Sequence, residues 1–177
     1  MGPLFNLIWD ICCLRKGPQD LPYSPRLLLA VSAASVAYQL LIATLRNLAP
    51  FGEVLAGALF GLMLMFTVLH VALTLRGLRS RFVQAATALV GCTLVFALLR
   101  LPIELLIGAP PATPADITAL QGLLTLIALP LLGWNVVAYA HVLRHSLDIP
   151  FLAGLGLALL WIVLGVVLIA AAGAPGT

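Results

Sequence analysis

Residues 82–107 read FVQAATALVGCTLVFALLRLPIELLI, an apolar run whose length decides the fold class. At about 1.5 Å of rise per residue, roughly 20 apolar residues in a helix cross the hydrocarbon core of a bilayer, and this run exceeds that. Four further runs of the same character surround it, at 27–45, 54–75, 117–140 and 151–172. None alternates with the period of two that marks a barrel strand. In lipid the backbone must satisfy its own hydrogen bonds, so the runs are expected to be helices. The expected fold is all-α: a polytopic helical membrane protein with five transmembrane helices. Composition agrees, since 63% hydrophobic residues, 8% charged residues and a mean hydropathy of +1.16 exceed what a soluble chain of 177 residues would carry.

The residues before the first run have a different pattern. Leu4, Leu7, Ile8, Ile11 and Leu14 recur at intervals of three and four, with Asn6, Asp10 and Cys13 on the opposite side. This is a short amphipathic helix, too short to cross, and its basic residues follow the apolar stretch instead of preceding it as in a secretory signal. It is expected to lie in the membrane interface, with Trp9 at headgroup depth and Arg15 and Lys16 towards anionic lipid. Gly17, Pro18, Pro22 and Pro25 then interrupt any helix. The expected organisation is therefore an amphipathic helix and Pro-rich linker at 1–26, a five-helix domain at 27–172 and a short tail at 173–177, with no appended soluble domain.

Basic residues orient the chain. Arg15, Lys16 and Arg26 precede the first run, Arg76, Arg79 and Arg81 lie between the second and third, and Arg144 follows the fourth; Arg46 and Arg100 fall towards the other side. The positive-inside rule puts the larger group and the amino terminus in the cytoplasm, and five crossings put the carboxyl terminus outside. Eight arginines against one lysine, with heavy Ala and Leu usage, point to a bacterial inner membrane. The net charge of +3 reflects juxtamembrane arginines and not a basic face for nucleic acid. Cys12 and Cys13 fall on the reducing side and Cys92 within a span, so no disulfide framework is expected.

Small residues write the helix packing. Gly57 and Gly61 form a G-x-x-x-G, Gly154 and Ala158 repeat the four-residue spacing, and Ala30, Ala33, Ala34 and Ala37 do so in the first span. Such spacing lets backbones approach closely, either within one protomer or between two.

The polar residues inside spans are the candidates for function. Arg100 and Glu104 stand one helical turn apart, with Pro102 between them, and Arg46 and Glu53 lie at the outer ends of their spans. An i, i+4 pair neutralises itself at depth, and the proline is expected to free a carbonyl for the guanidinium. This group could hold an anionic headgroup through Arg100 or carry protons on Glu104. His70, His141 and His145 raise a haem or metal reading, but no ligand spacing accompanies them, and neither a metal nor a cofactor is expected. Pro130, Gly133, Trp134, Asn135 and Tyr139 cluster near mid-span in the fourth run and read as a repaired kink. The hairpin before that run is expected to end in Thr113, Pro114 and Asp116 as helix cap, first-turn proline and dipole-matched acid.

Six acids and three histidines assemble no nucleophile with its base, no H-E-x-x-H and no phosphate-cradling loop, so the chain is not expected to be an enzyme. Its organisation resembles the Yip1-domain membrane proteins: an amino-terminal cytosolic segment, five closely spaced hydrophobic helices and an external carboxyl terminus. Asp20-Leu21-Pro22-Tyr23-Ser24-Pro25 stands where that family's eukaryotic members carry an Asp-Leu-Tyr-Gly-Pro type motif, and departs from it in the middle. The resemblance implies a non-enzymatic membrane adaptor. Three functions are thus expected in order: an adaptor or assembly subunit with a membrane-protein partner or a second copy of itself; a small oligomeric transporter, channel or lipid-handling protein using the Arg/Glu group; and a haem-binding redox protein.

Overall fold

A computed structural model describes residues 2–107 and 117–173. The described residues form helices and connecting turns, with no strand among them. In chain order the helices are α1 (Pro3–Cys12), α2 (Pro25–Leu45), α3 (Phe51–Leu75), α4 (Phe82–Ile107), α5 (Ala119–Leu147) and α6 (Phe151–Gly173). Short 3-10 turns, Pro18–Asp20 and Arg79–Arg81, precede α2 and α4. Four helices, α2 to α5, are long and apolar enough to cross a membrane. The fifth expected span falls on α6, which is apolar and helical.

The sequence explains where the helices start and stop. Ser24 Oγ accepts the Leu27 N–H at 3.2 Å, with Pro25 at the first helical position of α2. Thr118 and Gln121 exchange bonds in a capping box that opens α5. Thr113, Pro114 and Asp116, expected to start that helix, lie outside the described residues; the cap of the described helix is Thr118. Four helices end alike. Arg15 N–H reaches Asp10 O, Leu48 N–H reaches Ala43 O, Leu78 N–H reaches Leu73 O and Ile149 N–H reaches Arg144 O, each closing five residues back. The residue that makes each turn has a positive φ: Leu14, Asn47, Gly77 and Asp148. Gly77 adopts it freely and Asn and Asp tolerate it, whereas Leu14 at φ 62° costs on the order of 1 kcal/mol.

Helix α4 is the centre. It packs against α1, α2, α3 and α5, while α6 leans chiefly on α5. Its first half is rich in small residues, and Ala85, Ala86, Ala88 and Gly91 let neighbours come close. A Cβ added at Gly91 would stand 3.1 Å from Ile8 Cδ1, so α1 crosses α4 at that glycine.

This crossing seats part of the apolar stripe of α1 against protein: Ile8, Ile11 and Cys12 are buried in one core with Leu21, Leu69, Leu73, Leu89, Phe96 and Val142. The 29 residues of α5 make about 43 Å of helix, well beyond a hydrocarbon core of roughly 30 Å. The surplus two turns after Ala140, together with the start of α4, form a ledge. The 3-10 turn Pro18–Asp20 packs on that ledge, whereas α1 lies further along, beside Gly91 and Trp134, and its Leu4, Phe5 and Leu14 remain exposed.

Candidate functional site

The two ends of the bundle hold the polar chemistry, and they differ. At the end that carries α1, main-chain carbonyls of the amino-terminal segment are held by side chains of α4 and α5. Trp134 Nε1 donates to Cys12 O at 2.8 Å, and the Trp134 ring meets Trp9 edge-on at 5.8 Å. His141 Nε2 lies 3.0 Å from Lys16 O. A carbonyl only accepts, so that nitrogen bears the proton. Gln84 Nε2 donates to Leu21 O at 2.6 Å and to Gln19 O at 3.3 Å. Asp20 closes the turn by accepting the Gly17 N–H at 2.8 Å.

Two arginines fix the start of the α5–α6 connection. Arg76 donates from Nε to Leu147 O at 3.2 Å and from Nη2 to Asp148 O at 3.1 Å. Arg81 pairs with the Asp148 carboxylate at 2.9 Å and also donates to His145 O. Between these groups lies a polar cleft of about 290 Å³, lined by Pro18, Gln19, Arg81, Gln84, His145, Ser146 and Asp148. Arg81 and Asp148 pair with each other within the lining, and Gln19, Gln84 and Ser146 add neutral donors and acceptors. Sequence reasoning passed over Gln19, Gln84 and Asp148; the one available signal was a glutamine two residues inside an apolar helix.

At the opposite end Arg100 Nε stands 3.5 Å from Glu104 Oε1, with side chains 36% and 21% exposed. Tyr38 Oη of α2 lies 2.7 Å from Ala97 O and 2.9 Å from Glu104 Oε2. The hydroxyl has one proton, so it donates to one acceptor at a time. Through these two acceptors Tyr38 ties α2 to both the backbone and a side chain of α4. Arg100 Nε has no hydrogen-bond partner among the described residues, the 3.5 Å approach being an ion pair without bond alignment. Arg46 stands just beyond α2, and Glu53 is exposed in the first turn of α3, where the helix dipole favours it. The structure thus joins α2 to α4 through a trio that includes an unforeseen tyrosine.

Elsewhere the small residues divide. A Cβ at Gly154 would meet Ala140 O at 2.6 Å, and Ala158 is fully buried, so both sit in the α5–α6 contact. A Cβ at Gly57 or Gly61 would meet nothing within 4 Å. Among the described residues no neighbour stands against the Cβ position of either glycine. Helix α3 turns Leu69 and Leu73 inward, and at 100° per residue the Gly57–Gly61 stripe is rotated by about a third of a turn from them. Ala30, Ala33, Ala34 and Ala37 are likewise exposed, while Ser32 and Ser35 face inward. Arg15 and Lys16 fold back towards Asp10 at 4.0 and 3.5 Å, exposed pairs of little energetic weight.

The polar cluster of α5 read as a kink has structural work: besides the Trp134 bond, the Tyr139 hydroxyl hydrogen-bonds Thr93 of α4. His70 packs edge-on against Phe82 at 5.4 Å, and the His141 and His145 rings meet at 4.5 Å. No group of three or more His, Cys, Asp or Glu could hold a metal ion among the described residues. Cys12 and Cys92 are buried and Cys13 half-buried, all three as free thiols.

No family model matches this sequence, nor does any curated protein or solved structure.

Proposed function

We propose that this protein is a non-enzymatic adaptor or assembly subunit of a bacterial inner membrane. In this reading it crosses five times, with α1 at the cytoplasmic face and the carboxyl terminus outside. The observation that carries the proposal is the polar cleft at the α1 end, which three separate chain segments build and which side chain to main chain bonds hold in shape. A preorganised surface binds with less ordering cost than a mobile one. The occupant is a polar segment of a membrane-protein partner or of a second copy of this chain, and the resemblance to Yip1-domain proteins points to the same class.

Because α1 belongs to the core, deleting 2–16 would test folding and not docking. Gln19 is exposed on the cleft rim, and Gln19→Trp fills the cleft without touching the core. A photo-crosslinking residue at His145, which lines the cleft, should trap one discrete partner in cells, and Gln19→Trp should abolish that adduct while thermal unfolding stays unchanged. An undiminished adduct would refute the cleft as the docking surface.

One observation favours a second reading, a small oligomeric transporter or lipid-handling protein. The Arg100 Nε is buried without a hydrogen bond beside a carboxylate. Under that reading Arg100→Ala abolishes flux or scrambling in liposomes; unaltered flux would remove the pair from any mechanism.

A further inference from the structure

Between α3 and α6, over α5, runs an apolar crevice of about 190 Å³. Met65 and Ala72 form one wall, Trp161 the other, and Tyr139, Leu147 and Ala158 the floor. Leu147 and Ala158 are buried, whereas Val68 and Leu160 on the rims are exposed, so the crevice opens sideways and not towards the core. Along α3 it runs from Met65 to Ala72, about 10 Å, and stops one turn short of Arg76.

Its polar end is built. Arg76 Nε holds Leu147 O, the carbonyl of a floor residue, and Nη2 holds Asp148 O, so the guanidinium is fixed over the end of the crevice. Arg76 remains exposed, and an arginine has donors beyond those two bonds. The nearby carboxylate of Asp148 is already paired with Arg81. Arg79 and Arg144 are also exposed at this end, so the unbalanced local charge is positive.

We propose that this crevice and Arg76 form a binding site for one anionic phospholipid, the phosphate on Arg76 and one acyl chain between α3 and α6. An apolar slot alone would accept any lipid tail. The cation fixed at its mouth, at headgroup level for a bilayer in which α3 ends at Arg76, selects the negatively charged headgroup. The inference rests on the membrane reading of the helices and is independent of the adaptor reading.

Trp161 reports on the site, because it lines the crevice while Trp9 and Trp134 belong to the core around α1. The full chain is reconstituted in phosphatidylcholine vesicles containing a minor fraction of chain-brominated lipid, either phosphatidylglycerol or phosphatidylcholine. The fluorescence lost in Trp161→Phe isolates the signal of that residue. Brominated phosphatidylglycerol should quench it about five-fold more effectively per mole, the enrichment expected of one arginine near an anionic lipid. Arg76→Gln should erase that preference. Arg76→Lys, which keeps the charge and loses the forked carbonyl bonds, should retain it. Ala72→Phe should weaken quenching by both lipids.

Equal quenching by the two lipids in the wild type, or a preference that survives Arg76→Gln, would overturn the site. A preference lost in Arg76→Lys would assign it to fold maintenance and overturn the headgroup contact. Failure of both lipids to quench would overturn the membrane reading itself, a result distinct from loss of selectivity.

Discussion

The two ends of the bundle are made of the same kind of residue and held together differently. At the α1 end a short helix closes a core of buried side chains, and Trp134, His141 and Gln84 each reach main-chain carbonyls of the amino-terminal segment. At the other end Tyr38, Arg100 and Glu104 tie α2 to α4 through half-exposed groups. The difference teaches where tertiary specificity comes from in an apolar chain. Helices in lipid gain little by hiding one apolar face from another, so close approach and hydrogen bonds decide who neighbours whom. The α1 end has both in number.

If that contrast is real, mutations should grade along it. The largest loss is expected for Ile11→Ala, which empties a fully buried site between α1 and α4. About 3 kcal/mol should disappear, read by denaturant unfolding in mild detergent. Gly154→Leu follows, because its side chain would be driven into Ala140 O; about 2 kcal/mol and a loosened α6, visible as protease sensitivity after Leu147, are expected. Tyr38→Phe, at the opposite end, removes one hydroxyl and should cost about 1 kcal/mol by the same unfolding measurement. The smallest effect belongs to Gly57→Leu with Gly61→Leu, whose side chains enter open space; monomer stability should move by less than about 0.5 kcal/mol. A reversed order, with Tyr38→Phe costing more than Ile11→Ala, would break the comparison.

Hydropathy made the long helices legible, because crossing length depends on composition and hardly on neighbours. Residues 54–75 and 82–107 read as apolar runs correspond closely to α3 and α4. The pairing of Arg100 with Glu104 was also legible, since four residues along one helix fix the two side chains relative to each other. What lay beyond reach was every question of facing. The stripe of Leu7, Ile8 and Ile11 has the same period whether its cover is lipid or protein, so α1 read as an interfacial anchor. Gly57 with Gly61 carries the same spacing as Gly154 with Ala158, yet among the described residues a Cβ at Gly154 meets a neighbouring helix and one at Gly57 or Gly61 does not, because rotation of α3 about its axis is set by contacts of Leu69 and Leu73 that local spacing does not encode. Tyr38 escaped notice for the same reason: its partners lie 59 and 66 residues away. Trp134 and Tyr139 were noticed as polar groups in the wrong medium, and their partners in α1 and α4 supply the explanation.

The central claim is that the amino-terminal helix is a structural member of the bundle. Nuclear Overhauser contacts from the Trp9 indole, in protein reconstituted in lipid nanodiscs and carrying Trp161→Phe to simplify assignment, test it most directly. The account predicts cross-peaks between the Trp9 and Trp134 rings, whose centres lie 5.8 Å apart. A Trp9 ring whose cross-peaks run to lipid methylenes, with none to Trp134, would contradict it.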